Sequence, residues 1–94
     1  MKNFRKQIDR IDNEILILLK RRFQLSKKIA KYKLENNIKI QSLEREDEIY
    51  RKISSKTIEM NLPENCTRNL FRMIIDESIK QQQMFLDKAE KNKK

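Results

Sequence analysis

Apolar residues recur along the first third of the chain at Phe4, Ile8, Ile11, Ile15, Leu18, Leu25, Ile29 and Tyr32. Steps of four and three residues predict one long helix, from about Asn3 to about Leu34, with a heptad seam. Asn3 is placed to cap its start, and Glu35-Asn36-Asn37 supplies its exit. One slot of the seam, between Leu18 and Leu25, is filled by Arg22. A guanidinium inside an apolar stripe is costly unless an anion meets it.

The pattern then restarts twice. Ser42 reads as an N-cap, with Glu44 and Glu46 in the first turn where the helix dipole favours acids. A shorter helix over Leu43–Glu59 follows, with Leu43, Ile49, Ile53 and Ile58 turned inward. Met60-Asn61-Leu62-Pro63 breaks it, and Pro63 suits the first turn of a third helix, Glu64 to Lys88. Leu70, Phe71, Ile74, Ile75, Ile79 and Phe85 mark the buried side of that helix, and Ser78 and Gln82 interrupt it one turn apart. The predicted fold is all-α: long, short, long. At 1.5 Å per residue the first helix spans roughly 48 Å. A compact chain of this length has a radius of gyration of only ~12 Å. The rod overhangs any monomeric fold, so an intertwined homodimeric bundle is expected to cover its seam.

Composition narrows the chemistry. The 94 residues allow one domain, 1–94, with a modest core. Zero Gly excludes the usual phosphate loops and dinucleotide fingerprint, and zero His with one Cys argues against zinc or triad chemistry. No cofactor and no metal are expected. Cys66 is read as a buried, inert thiol. No apolar run is long enough to span a membrane, and the start lacks a signal-peptide core, so a cytoplasmic protein is expected. The net charge of +9 calls for an anionic partner without choosing among nucleic acid, membrane surface and a small polyanion. Lys88, Lys91, Lys93 and Lys94 read as a frayed basic tail over about 88–94.

Helical geometry sorts the basic residues. Arg22 and Lys33 are eleven positions apart, which puts them within about 20° of one face and roughly 16 Å apart along the axis. Ser26 and Ile29 lie between them. Arg5 points about 100° away and lies more than ~20 Å down the rod, so it reaches such a site only in an antiparallel partner. Arg45 and Glu46 form an acid–base pair opening the second helix, and Ser78 and Gln82 offer neutral donors. Each residue taken singly also fits a plainer role. Arg22 can snorkel or pair with a carboxylate, Lys33 and Glu46 can complement helix dipoles, and Ser78 can bond back one turn. Arg5, Arg45 and Gln82 can simply be solvated.

Taken together, FRKQIDRIDNEILILLKRR, the Lys31-Tyr32-Lys33 end, Arg45-Glu46 and LFRMIIDESIKQQQ resemble the all-helical (AroQ-type) chorismate mutases over Phe4 to about Leu86. That resemblance implies rearrangement of chorismate to prephenate in aromatic amino-acid biosynthesis, by an intertwined dimer without cofactor. It implies that Arg22, helped by Ser78, clamps one carboxylate and that Arg5 of the other protomer holds the second. Lys33 and Gln82 are implied to bond the ether oxygen, Glu46 the ring hydroxyl, and Arg45 to strengthen the positive wall. Ile29, Ile75 and Ile79 are implied as apolar walls. Where the family often carries an acid three positions before Arg45, this chain has Ser42. The rivals are an isochorismate pyruvate-lyase on the same fold, a basic helical nucleic-acid-binding protein, and a weak subunit activated by docking on another aromatic-pathway enzyme. No basic stripe interleaved with aromatics supports the nucleic-acid reading.

Overall fold

The computed structural model describes residues 1–92, which form three α-helices and no strand: α1 (Lys2–Glu35), α2 (Leu43–Glu59) and α3 (Glu64–Asn92). The bounds of α2 are those expected, with Ser42 accepting a hydrogen bond from the Arg45 amide at 3.2 Å. The start of α1 differs: Met1 is the cap residue, no side chain caps it, and Asn3 lies inside the helix. Pro63 precedes α3, its carbonyl accepting the first helical bond from the Thr67 amide at 3.0 Å. The last helix runs four residues past Lys88, so Lys88 and Lys91 are helical, while Lys93 and Lys94 of the expected tail lie outside the described residues.

A chain without glycine must still turn. Both turns put an asparagine in the left-handed region, Asn37 (φ 54°) and Asn61 (φ 53°). Asparagine bears that conformation better than other residues with a Cβ. After α1, the Ile38 amide reaches the Lys33 carbonyl at 2.8 Å and the Asn37 amide reaches Leu34 at 3.4 Å. After α2, Leu62 and Asn61 repeat the arrangement on Thr57 and Ile58 at 3.0 and 3.1 Å. These paired bonds are the Schellman termination, which satisfies carbonyls that the helix end leaves open.

Packing is organised by α3, which lies against both α1 and α2 while those two do not approach each other. On α1 the contact is made by Ser26 and Ala30, buried small residues one turn apart that let α3 come close. α3 answers with the buried Ile75, Ser78 and Gln82. The space between α1 and α2, with α3 at its back, is the chamber described below.

Little apolar surface is buried within one chain. Ala30 and Ile75 are the buried hydrophobic residues of the described chain. Phe4, Ile8, Ile11, Ile15 and Leu18 are all about half exposed or more. The radius of gyration is 16.7 Å and the longest dimension 57 Å, against ~12 Å for a compact domain of this length. Three inward assignments are corrected. Leu43 and Ile58 are 74% and 63% exposed, because α2 meets α3 along its Ile49–Ile53–Thr57 side, and Leu70 on α3 is also exposed. Cys66 is likewise corrected: its thiol is exposed in the first turns of α3. No helix of the described residues is long and apolar enough to cross a membrane.

Candidate active site

Two long-range hydrogen bonds fix the chamber. Arg22 Nη1 donates to Ser78 Oγ at 2.5 Å, and Lys33 Nζ donates to Gln82 Oε1 at 3.2 Å. Both tie α1 to α3, eleven residues apart on one helix and four on the other. Lys33 Nζ also donates to the Ile40 carbonyl at 2.5 Å, so the segment between α1 and α2 holds the ammonium in place. An ammonium has three donors; two are committed to the chain and one is left for a guest. Gln82 is buried, and its carbonyl oxygen is taken by Lys33. That contact orients the amide, leaving its NH₂ as the group that can donate into the chamber.

The chamber has a volume of 410 Å³, within the range of small-molecule sites. Of the residues singled out in the sequence, it gathers Arg22, Ile29, Lys33, Arg45, Glu46, Ile75, Ser78, Ile79 and Gln82. Ile75 is buried behind it and Ile29 is exposed at its mouth. Arg5 is not among the lining residues; it lies seventeen residues from Arg22, roughly 26 Å along α1. The expected Arg45–Glu46 pair is not formed. Arg45 instead meets Glu48 at 3.0 Å, and Glu46 accepts from Gln41 Nε2 at 3.3 Å. Adjacent helical positions point apart, whereas positions three apart share a face.

Sequence reasoning missed the Ile40 carbonyl, a main-chain acceptor with no signature in residue type. It also missed the structural part of Ser26, whose small size beside Ala30 was the available signal. Ser42, the departure from the family pattern, lines the chamber while serving as the α2 cap.

The electrostatics favour an anion. Arg22, Lys33 and Arg45 face the cavity against the single acid Glu46. Neither Arg22 nor Lys33 enters an ion pair among the described residues. Burial lowers the pKa of Arg22, and the nearby Arg45 charge lowers it further. Burial lowers that of Lys33. Both cations have lost water without gaining a counter-charge, so an anionic guest is the missing stabiliser. With donors aimed from three helices, the arrangement can hold a small polyanion in one conformer and supply hydrogen bonds to an oxygen.

The model of a family described as chorismate mutase type II matches residues 4–83. The chain is 38% identical over 91 residues to a chorismate mutase of Methanocaldococcus jannaschii, covering 96% of this chain and 92% of that protein. It is 37% identical over 86 residues to a bifunctional chorismate mutase/prephenate dehydratase of Buchnera aphidicola subsp. Schizaphis graminum, covering 92% of this chain and 22% of that protein. A bifunctional chorismate mutase/prephenate dehydratase of Aquifex aeolicus is 41% identical over 78 residues, covering 80% of this chain and 22% of that protein.

Proposed function

This chain belongs to the chorismate mutase type II family, and from that premise we propose how its chamber does the work. The enzyme is an isomerase that converts chorismate to prephenate, a step of aromatic amino-acid biosynthesis. A pericyclic shift needs no base, nucleophile or metal. It needs a floppy dianion held with its reacting ends together, which is an orientation task worth several kcal/mol. It also gains from donors directed at an oxygen that becomes more negative in the transition state.

Arg22, braced by Ser78, clamps one carboxylate. Lys33 and Gln82 present their free donors to the ether oxygen as its bond to the ring breaks. Glu46, steadied by Gln41, accepts from the ring hydroxyl, and Arg45 adds positive potential. Ile29, Ile75 and Ile79 wall off water. The observation that carries this assignment is the convergence of two cation–neutral pairs, Arg22–Ser78 and Lys33–Gln82, on one cavity.

The second carboxylate is met by Arg5 of a second copy, in an intertwined homodimer. Two facts support the dimer: the half-exposed Phe4–Leu18 seam and a radius of gyration too large for a self-contained domain of this size. An exposed free thiol suits a reducing, cytoplasmic compartment. Fusions to a dehydratase among the relatives make docking on another aromatic-pathway enzyme a natural companion arrangement.

Loss of chorismate ultraviolet absorbance on adding purified chain, with prephenate as product, is the expected result. Pyruvate release from isochorismate with no turnover of chorismate would instead assign the lyase reaction. Salt-sensitive retardation of DNA without either activity would overturn both.

A further inference from the structure

Positive charge is unevenly placed along this chain. Between Glu14 and Glu35 the sequence has seven cations and no acid. Arg22 and Lys33 belong to the chamber. The other five, Lys20, Arg21, Lys27, Lys28 and Lys31, are all exposed. At about 100° per residue they fall roughly 140–260° around α1 from Arg22, on the back of the helix from the chamber. Leu18, Leu25, Ile29 and Tyr32 of the seam lie within about 80° of Arg22, so two chains paired along that seam leave the five in water.

The fold leaves these charges unbalanced. Every ion pair among the described residues lies within α2. Lys20 and Lys27 border a groove that contains Glu77, and neither is paired with it. Lys27 and Lys31 stand one turn apart, where like charges repel and weaken a helix. Stability alone therefore gives no reason for the stripe. Gln24 is the neutral residue among the five, so the stripe offers no aromatic face to bases and no apolar side chain to a bilayer. Within reach of it is the chamber, on the other side of the same helix. A helix with its side chains is about 10–12 Å across, which puts the five charges roughly 15 Å from a guest held by Arg22 and Lys33. That separation is inside the screening length of about 30 Å at 0.01 M salt and well beyond the ~8 Å of 0.15 M.

We propose that Lys20, Arg21, Lys27, Lys28 and Lys31 draw the dianionic substrate to the chamber at a distance, without touching it. The inference rests on the mutase reading given above. Substrate and transition state carry the same net charge in the same place. Remote cations therefore stabilise both equally and leave the barrier between them unchanged. The stripe lowers KM and leaves kcat alone. Coulomb attraction of five charges for two, across roughly 15 Å of water, is screened in a calculable way. It gives about tenfold in kcat/KM at 0.01 M salt, about twofold at 0.15 M and nothing at about 1 M.

The test is steady-state kinetics with chorismate at neutral pH across that salt range. It compares the parent with the variant Lys20→Gln/Arg21→Gln/Lys27→Gln/Lys28→Gln/Lys31→Gln. Glutamine is a good helix former and the replaced side chains are exposed, so this variant should melt no lower than the parent. The expected parent-to-variant ratio of kcat/KM is about 10 at 0.01 M salt and about 1 at 1 M, with equal kcat throughout. A charge-keeping variant, Lys20→Arg/Arg21→Lys/Lys27→Arg/Lys28→Arg/Lys31→Arg, should match the parent at every salt concentration. A ratio near one at 0.01 M, a ratio that persists at 1 M, or a fall in kcat would overturn the proposal. An active parent with any of these results leaves the mutase reading intact. A parent that turns over no chorismate at any salt concentration would overturn that reading and this inference together.

Discussion

Lys33 carries three demands at once: it closes the end of α1, it grips the Ile40 carbonyl, and it orients Gln82. Removing a donor aimed at developing charge costs about 10²–10³ in turnover. Lys33→Ala should lose that much kcat, and an unchanged kcat in steady-state assays would remove Lys33 from the chemistry. Burial lowers its pKa, and the charged form is the working one. Activity at limiting substrate should therefore be full below the lowered pKa and fall as pH rises through it, earlier than an ordinary lysine would allow. A bound dianion favours the ammonium, so the alkaline limb of kcat should lie above that of kcat/KM. For folding the sign reverses: a charged lysine with a depressed pKa costs stability below that pKa, and the cost fades as pH rises towards the ordinary lysine value. Gln82 is neutral, which predicts a flat profile from acid to neutral pH. Gln82→Glu should work only where the new carboxyl is protonated, and a flat profile for that variant would contradict its place at the ether oxygen.

At the scale of elements, the helix ends decide where the site groups fall. Lys33 sits in the last turn of α1 because Asn37 takes the left-handed conformation that stops the helix there. A residue with an ordinary Cβ pays roughly 1–2 kcal/mol in that region, and asparagine less. Asn37→Ala should therefore destabilise the fold by about 1 kcal/mol, read as a melting shift of roughly 4–8 °C for a domain of this size. Asn37→Gly should melt close to the parent when protein concentration is held fixed. Ser42 shows the same economy, capping α2 while its side lines the chamber. The helices themselves were legible: Leu43–Glu59 could be bounded to the residue from a serine cap and an asparagine–proline exit. The start of α1 was not, because the helix begins on Met1 with no side-chain cap to read. The far end of α3 ran on through polar residues that periodicity does not mark.

At the scale of the molecule, an overhanging rod with a half-exposed seam asks for a second copy. Sedimentation should give twice the chain mass. If Arg5 serves the neighbouring site, Arg5→Ala and Gln82→Ala should each be nearly inactive, yet their mixture should regain about a quarter of parental sites. Half of randomly re-formed dimers are mixed, and each mixed dimer holds one intact site out of two. A mixture as inactive as its components would place Arg5 outside the partner's chamber. The candidate site was legible to the same uneven degree. Arg22, Ser78 and Gln82 stood out as polar breaks in apolar stripes and Lys33 as a cation on the face of Arg22, and in the fold Arg22 meets Ser78 and Lys33 meets Gln82. The Arg45–Glu46 pair was misread, and the Ile40 carbonyl had no signature to find.

Periodicity, caps and polar interruptions are local properties, so the residue order alone determined three helices, most of their ends and the apolar stripe. It also named the groups available for holding an anion. Which of those groups meet was decided by the crossing of α3 over α1, which joins Arg22 to Ser78 and Lys33 to Gln82 across 56 and 49 residues of chain. The same crossing keeps α1 and α2 apart and leaves a chamber between them. Contacts so distant in sequence depend on how rods pack, and small residues such as Ser26 and Ala30 set that packing without announcing it.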